Sequence, residues 1–112
     1  MELECRSVGN VTLAKPLDRR VDARSADDLK EELNRLIDAG HRFVALDLSS
    51  VEFVDSSGLG AMIFAFKALE SRGELAIVKP HPVVRSLFRM TGTDSLFRIF
   101  SDENEALAAL GG

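Results

Sequence analysis

The chain reads as an α/β protein: a small mixed, mostly parallel sheet with an N-terminal hairpin and about four helices. Three observations predict this. Apolar residues switch between the strand and helix periods, giving helix–strand–helix–strand–helix–strand–helix after the opening hairpin. The runs Phe43-Val44-Ala45-Leu46-Asp47-Leu48 and Leu75-Ala76-Ile77-Val78 are almost continuously apolar, as in strands covered on both faces. Connections are short, so right-handed crossovers make the strands at 43–48, 75–78 and 96–100 mostly parallel, with helices packed against them.

Leu3 to Val8 and Val11 to Lys15 form two short strands around Gly9-Asn10, a tight hairpin turn. Pro16 ends the second, and Leu17 to Asp22 is a short connection with room for a bridging strand at Arg20-Val21. Ser25 is placed to N-cap the first helix, with Asp28 at N3 as a weak capping box. Leu29, Leu33, Leu36 and Ile37 then recur at helical spacing until Gly40. That stripe is narrow and the opposite face charged, so this helix packs on one side only.

After the strand at 43–48, the strand-forming run Val51-Glu52-Phe53-Val54 stops at Asp55-Ser56-Ser57. A helix follows from Ser57 to about Glu70, ending at Gly73. Beyond the strand at 75–78, Pro82 suits the first position of a third helix through Met90, stopped by Gly92. Leu96 to Phe100 is a short strand, Ser101 or Asp102 caps a last helix through Leu110, and Gly111-Gly112 is a frayed end. Residues 1–110 make one domain.

At 112 residues, 46% hydrophobic and 29% charged, the chain has the composition of a globular domain with a real core. The net charge of −4 and 14 scattered Lys and Arg argue against nucleic-acid binding; the densest spot, Arg19-Arg20, is too small for a phosphate-backbone track. Cys5 has no partner for an internal disulfide and reads as a half-buried thiol in a reducing cytoplasm. The polar, acidic start Met1-Glu2-Leu3-Glu4-Cys5-Arg6 is no signal peptide. The longest apolar run, Gly58 to Phe66, is too short to span a bilayer, so no direct membrane insertion is expected.

Chemistry concentrates at Asp55-Ser56-Ser57-Gly58-Leu59-Gly60. Two small hydroxyls stand at a helix N-terminus, where backbone amides lack partners and the helix dipole is positive. Such a corner suits a phosphate, which would change what the surface binds. The plainer reading is that Asp55 or Ser56 is an N-cap and that Gly58 and Gly60 permit close packing. The helix behind is nearly all apolar. Leu59, Met62, Ile63, Phe66 and Leu69 can face the sheet, while Ala61, Phe64, Ala65 and Ala68 leave little polar surface elsewhere. Part of the Phe64 face is therefore either a docking surface or buried under a neighbour.

Catalysis by this chain is not expected. His41 follows a helix-ending glycine and His81 lies between two prolines at a helix start, so both read as loop or cap residues and neither as a base for Ser56. One Cys and two distant His do not make a metal site, and Gly58-Leu59-Gly60 lacks the rest of a dinucleotide fingerprint. No cofactor is implied. A phosphoaspartate receiver would need an acidic pair after its first strand, where this chain has Val8-Gly9-Asn10.

Phe53-Val54-Asp55-Ser56-Ser57-Gly58-Leu59-Gly60 closely resembles the phosphorylation motif of the anti-sigma factor antagonist family, the stand-alone bacterial STAS domains. Val21-Asp22-Ala23-Arg24-Ser25-Ala26 is similar to the family's lead into its first helix. Val84 to Gly92, Leu96-Phe97 and Glu105-Ala106-Leu107 are similar to its C-terminal third. The chain differs at Arg19, where the family usually has glycine, within an unusually charged Asp18-Arg19-Arg20.

The resemblance implies a STAS-like fold and a partner switch. The unmodified protein would bind a GHKL-type kinase that is also the anti-sigma factor, freeing the sigma factor. Phosphorylation of Ser56 would block that binding, and a PP2C-type phosphatase would restore it. By geometry alone Ser57 is an equal acceptor; only the resemblance favours Ser56. Asp22 carries over as a contact beside that serine. The expected partner surface comprises Asp22, Asp55, Ser56, Ser57, Gly58, Leu59 and Phe64. The alternative role is a STAS subunit of another assembly, such as a lipid-transport complex or signalling scaffold.

Overall fold

The structure, a computed structural model, describes residues 1–111; Gly112, half of the expected frayed end, lies outside them. The strands are β1 (Leu3–Val8), β2 (Val11–Pro16), β3 (Arg20–Val21), β4 (Phe43–Asp47), β5 (Phe53–Val54), β6 (Glu74–Val78) and β7 (Ile99–Phe100). The helices are α1 (Ala26–Asp38), α2 (Ser56–Leu69), α3 (Pro82–Thr91) and α4 (Glu103–Leu110), with a single 3-10 turn at Thr93–Ser95.

Five strands form one sheet in the order β1-β2-β4-β6-β7, antiparallel only in the β1–β2 hairpin. Strands β3 and β5 make a separate two-stranded parallel ribbon. Period-two alternation divides the main sheet between two cores. Val44, Leu46, Leu75 and Ile77 pack with Leu29 and Leu33 of α1, Met62 and Leu69 of α2, and Val84 and Phe88 of α3. Ala45, Ala76 and Val78 point the other way, with Val11 and Leu13, onto Ala106 and Leu110 of α4. Both faces are covered, which is why β4 and β6 carry no polar alternation in sequence.

Four expectations are corrected. The expected strand at 96–100 shrinks to Ile99–Phe100, because the 3-10 turn carries the chain inward first. Phe97 then becomes a core residue, its ring 5.5 Å from Phe66 edge-on and 5.7 Å from Phe88. Ser25 stands before α1 but does not cap it: its backbone is already helical, and its hydroxyl accepts from the Asp22 amide at 3.2 Å and donates to the Arg20 carbonyl at 3.3 Å. Asp28 instead faces the terminal amine of Met1 at 3.4 Å. Cys5 is exposed, not half-buried, because β1 is the sheet's edge strand.

The expected stop at Gly92 is present, with the left-handed φ of 74° that glycine accepts at no steric cost. His81 caps α3 by accepting the Val83 amide hydrogen at Nδ1, 3.4 Å away. His41 Nδ1 lies 2.6 Å from the Thr12 hydroxyl at the opposite end of the sheet from the strand C-termini.

Candidate functional site: a serine corner at the start of α2

The small ribbon builds the corner. Arg20 pairs with Phe53 and Val21 with Val54, so the chain leaves both strands side by side at Asp22 and Asp55. The Asp55 amide donates to the Val21 carbonyl at 3.3 Å. Closeness here requires a glycine: a Cβ on Gly58 would sit 2.3 Å from the Val21 carbonyl oxygen. Gly58 is therefore a packing residue, and it is buried. Gly60, expected to share that role, has nothing within 4 Å of its Cβ position.

Asp55 is the N-cap of α2. Its Oδ1 accepts the amide hydrogens of Ser57 at 2.9 Å and Gly58 at 3.0 Å, while Oδ2 accepts that of Ala23 at 3.2 Å. One carboxylate thus closes the helix start and ties the β3–α1 loop to it. This settles which residue caps, and it corrects the expectation that these amides await a phosphate. Two of the first turn's amides are already occupied by an anion.

With Asp55 capping, both serine side chains are left exposed. Asp22 follows Val21 as Asp55 follows its ribbon partner Val54, and it is half-buried. Its Oδ1 accepts the Arg24 amide hydrogen at 3.0 Å and its Oδ2 lies 3.4 Å from Arg20 Nε. The backbone hydrogen bond from Arg24 is the largest cause holding its carboxyl below the ordinary carboxylate value; the nearby Arg20 and Arg24 charges add to it. Arg20 also stacks its guanidinium 4.1 Å from the Phe53 ring centroid, and Arg19 pairs with Glu52 at 3.6 Å.

Along α2 the exposed residues Ser57, Gly60, Phe64 and Lys67 fall at helical spacing on one stripe. Phe64 is 46% exposed, with Lys30 Nζ of α1 4.0 Å above its ring. Leu59, expected at the contact surface, is only 6% exposed and belongs to the core. The surface of the corner is therefore Asp22, Asp55, Ser56 and Ser57, with Phe64 about 10–12 Å further along α2 at the usual helical rise. Sequence reading missed the Ala23 tether and both cation–ring stacks. The register of β3 with β5 sets the tether and the Arg20–Phe53 stack, the packing of α1 on α2 sets the Lys30–Phe64 stack, and nothing in the linear spacing announces either.

Among the described residues, no group of three or more His, Cys, Asp and Glu is placed to hold a metal, and no helix is long and apolar enough to cross a membrane. The STAS domain family model matches residues 4–106. BtrV of Bordetella bronchiseptica is 33% identical over 90 residues, covering 80% of this chain and 78% of that protein. The anti-sigma-B factor antagonist of Listeria monocytogenes is 33% identical over 86 residues, 76% of this chain and 75% of its own. The crystal structure of an anti-sigma factor antagonist from Mycobacterium paratuberculosis superposes with a TM-score of 0.89 at 22% identity, covering 99% of this chain and 94% of that one.

Proposed function

Because the chain belongs to the STAS domain family, we propose that it is an anti-sigma factor antagonist working by partner switching in the cytoplasm. The unmodified protein binds a GHKL-type anti-sigma factor kinase and so releases the sigma factor. The kinase transfers the γ-phosphoryl group of its ATP to the Ser56 hydroxyl oxygen; ADP leaves, the hydroxyl proton is lost, and the modified protein dissociates. A PP2C-type phosphatase hydrolyses the ester and restores the hydroxyl. Nucleotide and magnesium belong to the partners.

The observation that carries this reading is the division of labour at the corner: Asp55 does the capping, so the exposed serine hydroxyls are not needed to hold the helix. Phosphate adds about 1.5 to 2 negative charges at pH 7. Beside Asp22 and Asp55, an interface would have to desolvate that charge among like charges, so binding is lost while the fold is kept. Phe64 supplies the apolar part of the contact, and Asp22 its polar edge.

The test is radiolabel transfer from the cognate kinase to the wild-type chain and to Ser56→Ala. Labelling lost in Ser56→Ala supports the assignment; equal labelling of both sinks it, and labelling lost only in Ser57→Ala moves it by one residue. Co-purification of lipid-transport components without any kinase would favour a STAS subunit of another assembly.

A further inference from the structure

We propose that Arg20 and Arg24 are an intramolecular receptor for the phosphate monoester on Ser56, folding it back onto the chain's own surface. The inference rests on Ser56 as the acceptor and concerns what the phosphate does once attached. A phosphate at this corner cannot use the amides of Ser57 and Gly58, since the Asp55 carboxylate holds both. It would stand beside the anions Asp22 and Asp55, so its counter-charge has to come from cations at the same corner.

Two arginines flank the turn that Asp55 ties to the start of α2. Between them lie Val21, Asp22 and Ala23, and the Ala23 amide donates to Asp55 Oδ2 at 3.2 Å. Arg24 follows directly, its backbone fixed by the hydrogen bond to Asp22 Oδ1 and its side chain in solvent. Arg20 precedes them, its Nε 3.4 Å from Asp22 Oδ2 and its guanidinium against Phe53, two residues before Asp55. The guanidinium fork matches phosphate oxygens bidentately, and a charge-assisted pair with a dianion outcompetes an exposed pair with one carboxylate. Arg20 is therefore a cation that phosphate can take from Asp22, and Arg24 is an exposed second cation on the loop that Asp55 ties to α2.

A receptor of this kind lowers the second pKa of the phosphoserine, because the arginines favour the dianion; Asp22 and Asp55 alone would raise it. The experiment installs phosphoserine at position 56 during translation, so no kinase is needed, and follows the 31P resonance through the second ionisation, ordinarily at about pH 6. R24Q and R20Q are each expected to raise that pKa by about half a unit, and R20Q/R24Q by more than either. An R20Q/R24Q chain titrating at the wild-type pH overturns the proposal. Arg24 is exposed, so R24Q alone keeps the test readable if R20Q disturbs the Phe53 stack. Failure of kinase labelling at Ser56 would sink the proposed function and leave this titration intact. An unchanged titration would sink the receptor and leave the labelling intact.

Discussion

Asp55 accepts the Ala23 amide hydrogen at 3.2 Å across a gap of 32 residues in sequence, with the same carboxylate that caps α2. The ribbon of β3 and β5 sets Asp22 beside Asp55, and this bond ties the loop after Asp22 to the start of α2, where the proposed phosphoacceptor Ser56 stands. Replacing Asp55 with Ala removes three acceptor contacts at once. The expected cost is about 1 to 2 kcal/mol, the upper range for an N-cap. Thermal unfolding should show it as a lower midpoint, with Asp55→Asn losing less. An unchanged midpoint in Asp55→Ala would mean that the cap does not stabilise the corner.

Gly58 and Gly60 look alike in sequence and are expected to behave oppositely. A Cβ on Gly58 meets the Val21 carbonyl at 2.3 Å and the Val21 side chain at 2.9 Å. Backbone cannot yield as a side chain does, so Gly58→Ala should displace β3 and cost about 1 to 3 kcal/mol, the range of overpacked cores. At Gly60 the Cβ position is open. There the helix gains from lost backbone freedom in the unfolded chain, and Gly60→Ala should stabilise by about 0.5 to 1 kcal/mol. Denaturant midpoints of the two variants check the sign.

That contrast shows what linear sequence carries and what it does not. The buried strands at 43–47 and 74–78 and all four helices are legible, because double coverage and amphipathicity leave marks at fixed spacing. The ribbon of β3 and β5 is two residues per strand, too short for any period, and its pairing is tertiary. Leu96 to Phe100 is short and mostly apolar like a strand, yet Phe97 is held by two aromatic rings from α2 and α3, which no local pattern encodes. At the corner, the acid and the serines are legible as a capped helix start. Which residue caps depends on backbone angles, and Leu59 fits both the sheet-facing set and the contact surface because an apolar helix gives no moment by which to orient it.

Phe64 lies 46% exposed on α2, its ring under the Lys30 ammonium at 4.0 Å. Truncation to Ala loses that contact and little packing, so stability should fall by less than about 1 kcal/mol. Partner affinity should fall by more, since exposed aromatics of this kind anchor interfaces. Calorimetric titration of the cognate kinase against wild type and Phe64→Ala measures it. Equal affinity would remove Phe64 from the interface.

Asp22 gives the corner a pH signature. Its folded pKa is below the ordinary value, chiefly through the Arg24 amide. The folded state therefore binds its proton less readily than the unfolded chain. The stability this contributes is fully present above the unfolded carboxylate pKa of about 3.9 and is lost as pH falls through the lower folded value. Asp22→Asn should flatten the acid limb of the thermal midpoint against pH and leave the neutral region parallel to wild type. A wild-type acid limb in Asp22→Asn would show that the hydrogen bond carries no pH-dependent stability.

Ser56→Asp separates the switch from the scaffold. The added carboxylate sits at the first position of α2, where the helix dipole favours it while Asp22 and Asp55 oppose it. The two effects are each small at an exposed site, so stability should stay within about 0.5 kcal/mol of wild type. In the complex the same charge is desolvated beside two carboxylates, and kinase affinity should fall by about tenfold or more. Thermal unfolding and titration calorimetry on one preparation measure both quantities. A variant that unfolds early would show that Ser56 holds the helix start after all, and one that binds as tightly as wild type would show that charge at this corner does not govern the partner.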